Sequence, residues 1–242
     1  MTVALLEVRG VSKAFRGLRA VQGVSFDVAE GAIAAMIGPN GAGKTTCFNV
    51  IAGVFAPDAG TVSLGGRAVT GLHPHQVCRA GIGRTFQVVK PFPQMTVLDN
   101  VVVGALNASA RVADARREAR RVLELLHLQD KGEALAASLT LPERKRLEVA
   151  RAMATRPRLL LLDEVMAGLR PTEVDEMVGV FRRINRETGL TILLIEHVMR
   201  AVMALAARVV VLHHGEKICE GTPEEVVRDP AVLECYLGEE AL

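Results

Sequence analysis

Apolar residues along the chain gather in two ways. Residues 32–37 (Ala-Ile-Ala-Ala-Met-Ile), 159–162 (Leu-Leu-Leu-Leu), 190–195 (Leu-Thr-Ile-Leu-Leu-Ile) and 209–213 (Val-Val-Val-Leu-His) are short apolar runs. Their length and the turn residues around them predict buried strands. Helical stretches separate the last three, which is the alternation of a mostly parallel sheet. Residues 5–11 and 24–28 predict two more strands, with Arg16-Gly17 as a turn between them. Residues 61–64, closed by Gly65-Gly66, form a further short strand, so these pieces predict a small antiparallel sheet. Strand character returns at 81–86 and ends at Gln87. From 96 to 155 the spacing turns helical. Thr96-Val-Leu-Asp99 is a capping start, and 113–128 is amphipathic with Arg116, Arg117, Arg120 and Arg121 on its polar side. Those arginines read as a solvated face rather than a contact with lipid headgroups. Asp229-Pro230 opens a last helix ending near Leu237, and there are no internal repeats, low-complexity tracts or long linkers.

Composition narrows the picture only a little. A chain of 242 residues suits one medium domain, or a core with a subdomain. Half the residues are hydrophobic but only 3% are aromatic, so the core is aliphatic. The net charge is +2 with signs well mixed, which argues against a nucleic-acid face. Cys47, Cys78, Cys219 and Cys235 form no C-x-x-C pair, so they read as isolated thiols in a reducing compartment. The first residues lack the basic-then-apolar pattern of a signal peptide, and no apolar run approaches the ~20 residues of a membrane span. Any membrane role is expected through a partner.

The chemistry begins at Gly38-Pro39-Asn40-Gly41-Ala42-Gly43-Lys44-Thr45-Thr46, which fits the phosphate-binding pattern G-x-x-x-x-G-K-[ST] throughout. Glycines let consecutive N–H groups turn toward an anion, Lys44 adds charge for β- and γ-phosphates, and the Thr45 hydroxyl suits Mg²⁺. A buried strand precedes the loop. A helix predicted over 45–53 follows it, with its positive end at the phosphates. The strand at 159–162 ends in Asp163-Glu164. Asp163 fits the Mg²⁺ side of a phosphate site, and Glu164 can polarise a water for attack on the γ-phosphate. The strand at 190–195 is followed by Glu196-His197, which puts His197 at a strand's carboxyl end, where open α/β sheets bind ligands. His213-His214 before Gly215 reads as a hairpin turn, and His73-Pro-His75 with Cys78 as a loop entering a helix rather than a metal site.

Taken in order, these residues resemble the ATP-binding-cassette ATPases over essentially the whole chain. Gly38–Thr46 is similar to their Walker A loop, 159–164 to Walker B, Gln87 to the Q-loop glutamine, His197 to the switch histidine, and Phe15 to the aromatic that stacks on adenine. Gly83-Arg-Thr-Phe-Gln87, Arg146-Leu-Glu-Val-Ala-Arg151, Ala167-Gly-Leu169, Ile195-Glu-His197, Thr222-Pro-Glu and Tyr236-Leu-Gly-Glu239 resemble the ATP-binding subunits of branched-chain amino acid importers. The resemblance implies an α/β P-loop NTPase fold. It combines a mostly parallel sheet, an antiparallel β-subdomain and a helical subdomain, the last over 91–155 and the rest over 1–90 and 156–242. It implies Mg²⁺ and ATP as ligands, Lys44, Gln87, Glu164 and His197 as catalytic, and Thr45, Gln87 and Asp163 toward the metal. It further implies a second ATP-binding subunit, two transmembrane permease subunits, an indirect periplasmic solute-binding protein, and a peripheral place on the cytoplasmic face of a bacterial inner membrane. The apolar stretch after Gln87 (Val88, Val89, Pro91, Phe92, Pro93, Met95) reads either as a docking groove for a partner helix or as local core. ATPases for urea and amide import and for lipopolysaccharide export are similar enough to stay open as alternatives. So does a cassette that senses ATP with weak hydrolysis. A soluble cassette acting on DNA or the ribosome is disfavoured, because no coiled coil, tandem cassette or strongly basic face is present.

The pattern breaks in one place that matters. The family's signature, Leu-Ser-Gly-Gly-Gln, corresponds to Leu139-Thr140-Leu141-Pro142-Glu143. In the family this segment reaches the ATP held by the partner subunit. Thr140 keeps the hydroxyl, Pro142 has no N–H to give, and Thr140-x-x-Glu143 is a capping box that keeps the helix start. Val165 replaces the proline that usually follows the Walker B glutamate. Arg170 stands where Asp or Asn is usual, and either compensates for the signature or pairs with a nearby carboxylate, the pairing being preferred.

Overall fold

The computed structural model describes residues 3–86 and 91–237. The antiparallel part is laid down first. Strands β1 (Ala4–Phe15) and β2 (Leu18–Ala29) pair across the turn at Arg16-Gly17, both with positive φ as a tight hairpin needs. β3 (Ile33–Ile37) leads into the glycine loop and helix α1 (Lys44–Ile51), which starts one residue earlier than the sequence predicts. β4 (Ala59–Leu64) and a two-residue β5 (Arg67–Ala68), which the sequence reading missed, complete a four-stranded sheet of order β2-β1-β4-β5.

Helix α2 (Pro74–Arg79) precedes β6 (Ile82–Arg84), which is shorter than the predicted 81–86. The helical stretch holds α3 (Val97–Ala105), α4 (Val112–Leu125) and α5 (Leu141–Met153). At the start of α3 only half of a capping box forms. Asp99 N–H donates to Thr96 Oγ1 at 3.0 Å, while the Asp99 carboxylate pairs with Arg116. The chain then alternates through β7 (Leu159–Asp163), α6 (Pro171–Thr188), β8 (Thr191–Ile195), α7 (Met199–Leu205) and β9 (Arg208–His213). It closes with β10 (Glu216–Gly221), α8 (Pro223–Val226) and α9 (Pro230–Leu237).

The second sheet has order β10-β9-β3-β8-β7-β6, parallel throughout except for the β9–β10 hairpin. Its central strands read as solid apolar runs because both faces are covered. Alternate residues enter two separate cores. Ile33, Ala35 and Ile37 join Leu160, Leu162, Ile192 and Leu194 under the helices, whereas Ala34 and Met36 join Leu159, Leu161, Leu193 and Ile195 against the antiparallel sheet and α1. Asp163, Glu164, Glu196 and His197 therefore leave the carboxyl ends of neighbouring parallel strands. That edge also carries the glycine loop, between β3 and α1.

Candidate functional site

The loop between β3 and α1 can close only with glycine at two points. Gly38 has φ 146° and an added Cβ would lie 2.0 Å from Leu212 O; Gly43 has φ 99° and its Cβ would lie 2.3 Å from Ala20 O. α1 has no side-chain cap, so backbone N–H groups at its start are left for a ligand. Lys44 is buried and its Nζ donates to Gly38 O (2.6 Å) and Pro39 O (2.7 Å), bracing the loop that it follows. The β9–β10 turn clasps the loop from outside: Gly215 N–H donates to Ala42 O at 3.1 Å, and Gln22 N–H donates to Gly215 O at 2.7 Å.

The loop floors a cavity of about 540 Å³. Phe15, Leu18 and Arg19 of the first hairpin line one side, residues 40–46 the base, and Glu164 and His214 the rest. Phe15 is 37% exposed; its ring meets Phe55 in an edge contact at 5.0 Å, and Lys13 Nζ lies over the ring at 5.6 Å. Thr45 and Thr46 line the same cavity. Leu18 and Arg19 carry no signal in the sequence, and His214 reads there only as part of a hairpin turn. They reach the cavity only because hairpin turns far apart in the chain converge on it.

Asp163 and Glu164 take up different environments. Asp163 is 1% exposed; burial pushes its carboxyl above the ordinary range, and Arg84 opposes the shift. Arg84 Nη2 donates to Asp163 Oδ2 at 3.0 Å and its Nη1 to Asn49 Oδ1 of α1 at 2.6 Å. The other carboxylate oxygen, Asp163 Oδ1, is buried with no hydrogen bond. A buried, unpaired hard oxygen behind the phosphate loop, with the Thr45 hydroxyl in that loop, fits Mg²⁺, which takes one or two protein oxygens and completes its shell with phosphate and water.

Glu164 points to the cavity, and its Oε1 lies 3.2 Å from His197 Nε2. Its backbone is left-handed at φ 50°, a conformation that costs a non-glycine residue of order 1–3 kcal/mol and clusters at functional sites. The surroundings hold it there. Glu164 N–H donates to Ile195 O at 3.0 Å, and Glu164 O accepts from Lys145 Nζ at 3.1 Å and from Ala167 N–H at 3.2 Å.

Thr140 is exposed at the start of α5, apart from the residues that line its own chain's cavity. The capping pair forms: Thr140 N–H and Oγ1–H both donate to Glu143 Oε2, at 2.8 and 2.9 Å, and Lys131 Nζ lies 3.3 Å from Glu143 Oε1. Arg170 pairs with Glu173 (Nε to Oε1, 2.8 Å), which is the carboxylate pairing the sequence reading preferred. Val165 is buried at 1% exposure. Gln87, Val88 and Val89 lie outside the described residues. Among the described residues no three His, Cys, Asp or Glu side chains gather in a metal-holding cluster; His73 and His75 simply stack their rings at 6.0 Å.

A glycine loop backed by an uncapped helix, facing two carboxylates on a neighbouring strand end, places the chain in the P-loop class of nucleotide-binding proteins. Comparison with known proteins narrows the class. Residues 21–167 match the family model described as ABC transporter, and residues 216–241 match Branched-chain amino acid ATP-binding cassette transporter. The chain is 39% identical to the high-affinity branched-chain amino acid transport ATP-binding protein BraF of Pseudomonas aeruginosa, over 99% of this chain and 100% of that protein. It is 37% identical to LivG of Escherichia coli K12, of the same description, with 99% and 100% covered. It is 36% identical to the lipopolysaccharide export system ATP-binding protein LptB of Acidithiobacillus ferridurans, with 98% of each covered. Among solved structures, the ADP conformation of MJ1267, an ATP-binding cassette of an ABC transporter, superposes with TM-score 0.89 at 30% identity, covering 98% of this chain and 100% of that one. The chain belongs to the ABC transporter ATP-binding family, in its branched-chain amino acid type, and is a transport ATPase.

Proposed function

We propose that the chain powers import of branched-chain amino acids and that the cavity over the glycine loop is its ATP site. The observation that carries the ATP site is one cavity holding Phe15, the loop and Glu164, with His197 3.2 Å from that glutamate. Phe15 stacks on adenine. Lys44 and the N–H groups of Gly38, Asn40, Gly41, Gly43, Thr45 and Thr46 hold the phosphates; Pro39, which has no N–H, and Ala42, whose N–H donates to Pro39 O at 3.2 Å, shape the turn. Thr45 and Asp163 hold Mg²⁺, with Gln87 as a further ligand by family likeness. The ion, when bound, neutralises charge on the β- and γ-phosphates. Glu164 takes the proton of the attacking water, and His197 orients Glu164 and the γ-phosphate.

The second half of the site comes from a second ATP-binding subunit, whose Thr140 reaches the γ-phosphate at closure. Residues 1–90 with 156–242 act as the nucleotide-holding body and 91–155 as a helical body that moves against it. Two permease subunits complete the transporter, with a periplasmic solute-binding protein delivering solute and this chain on the cytoplasmic face of the inner membrane. No helix among the described residues is long and apolar enough to cross a membrane. Docking onto the permease falls to the cleft of about 280 Å³ lined by Val54, Phe86, Val103 and Arg151. Val54, Phe86 and Val103 are 43–59% exposed there, and Phe92 beside them stacks under Arg151 at 4.9 Å.

The match over 216–241 favours the branched-chain solute over lipopolysaccharide. The test is reconstitution in proteoliposomes with permease subunits and a solute-binding protein of the branched-chain amino acid type from the same organism. Leucine-loaded binding protein is expected to stimulate ATP hydrolysis; stimulation by urea or lipopolysaccharide in its place would overturn the solute assignment.

A further inference from the structure

Glu196 shares with Asp163 the deepest burial of any carboxylate among the described residues, 1% exposed. Asp163 is paired with Arg84, but Glu196 forms no ion pair among the described residues. Its Oε1 instead accepts the Met166 N–H at 2.9 Å. Burial, against the opposing pull of Met166 N–H, pushes its carboxyl up to about 7, with Glu164 adding to the rise and Lys145 reducing it. A fold seeking stability alone gains nothing from an ionisable group in such a place. Side chains kept against stability gather at functional sites.

The bond joins two loops that leave neighbouring parallel strands. Met166 lies two residues after Glu164 on the loop following β7, and Glu196 lies one residue before His197 on the loop following β8. The same loops meet at Glu164 N–H to Ile195 O (3.0 Å) and at His197 Nε2 to Glu164 Oε1 (3.2 Å). The left-handed turn at Glu164 has its N–H on Ile195 and its carbonyl on Lys145 and Ala167. Val165 and Met166 pack apolar side chains into the core that β8 also enters, and the Glu196 contact adds a directional bond from the Met166 backbone to the loop that carries His197. A loss of 1 Å in the placement of a reacting group can cost ~10²-fold in rate.

We infer that Glu196 is a positioning residue for hydrolysis: its buried carboxylate fastens Met166 N–H, and so holds Glu164 and His197 in register with each other. This rests on the hydrolytic reading of Glu164 and His197. What matters is an acceptor of the right reach, not the charge. Glu196→Gln keeps that acceptor, Glu196→Asp keeps the charge but withdraws it by one methylene, and Glu196→Met fills the space with no strong acceptor.

The experiment measures kcat for Mg-ATP hydrolysis and ATP affinity on the purified chain for these variants, with Glu164→Gln beside them. Expected are Glu196→Gln within about threefold of wild type, and Glu196→Asp and Glu196→Met down at least ~10-fold in kcat with ATP affinity within about twofold. The inference is overturned if all three variants keep wild-type kcat, if Gln is as impaired as Met, or if affinity falls in step with kcat. Should Glu196→Met not fold, the contrast of Gln with Asp decides alone. An active Glu164→Gln refutes the hydrolytic reading itself, whereas an inactive Glu164→Gln beside an active Glu196→Asp refutes only the role of Glu196.

Discussion

Arg84 Nη2 donates to Asp163 Oδ2 across 3.0 Å, with the two side chains only 10% and 1% exposed. The guanidinium reaches α1 with its other end, so one side chain ties the helix behind the phosphate loop to the strand that carries the carboxylates. Removing one partner of such a pair leaves the other charge buried and uncompensated, at about 3–5 kcal/mol. Arg84→Met is expected to lose about that much stability in urea unfolding of the nucleotide-free chain. The double variant Arg84→Met with Asp163→Asn is expected to recover a large part of it. Equal losses in single and double variants would show that the pair is not coupled.

Glu196 makes stability depend on pH in a definite direction. Its carboxyl is raised from 4.5 to about 7 in the folded chain, so the folded state holds the proton more tightly than the unfolded one. The favourable contribution is therefore complete below the unfolded value of 4.5 and is lost as pH rises through about 7. Glutamine lacks this loss. The stability of Glu196→Gln relative to wild type is expected to rise by ~2–3 kcal/mol between about pH 4.5 and about pH 8, read by urea unfolding. A flat difference, or one of opposite sign, contradicts the burial argument.

Phe15 lines the cavity, with Phe55 in edge contact at 5.0 Å and Lys13 Nζ over its ring at 5.6 Å. Stacking of a base on an aromatic contributes ~1–3 kcal/mol by alanine substitution and tolerates any base. Phe15→Ala is expected to weaken ATP binding about five- to 150-fold, with Phe15→Tyr near wild type, measured by fluorescence titration with an ATP analogue. Unchanged affinity in the alanine variant removes Phe15 from the site.

The altered signature has its own test. Pro142 sits in the first turn of α5, and the Thr140 hydroxyl is turned onto Glu143. Pro142 has no N–H, so on the proposed dimer it offers one backbone donor fewer to the partner's phosphate, a difference of ~1.5–3 kcal/mol. In a Glu164→Gln background, Pro142→Gly is expected to strengthen ATP-dependent dimerisation about tenfold or more by sedimentation. No change means the N–H of that position is not used.

How much of this was legible in the sequence follows from distance along the chain. The phosphate loop and its flanking strand and helix are local patterns legible from spacing, and Asp163, Glu164 and His197 stand out at strand ends only through their order after that loop. The two-faced burial of β3, β7 and β8 shows in the sequence as unbroken apolar runs. The pairings are another matter. Arg84 lies 79 residues from Asp163, and Met166 lies 30 from Glu196. No spacing rule joins them: Asp163 is legible as a phosphate-site carboxylate but its Arg84 partner is not, and the Met166 contact runs through a backbone N–H that the sequence does not mark. The His214 turn reaches the phosphate loop only through sheet order, because β9 pairs with β3. For Arg170 the sequence points to a nearby carboxylate without saying which; the structure supplies Glu173, one helical turn on.

The central claim is that this chain hydrolyses ATP with Glu164 as the base. Its most direct test is phosphate release from Mg-ATP by the purified chain, wild type against Glu164→Gln. Release is expected to fall at least ~10²-fold with ATP affinity within about twofold, because glutamine keeps the shape and cannot take the proton. Release at the wild-type rate from Glu164→Gln, with affinity unchanged, would contradict it.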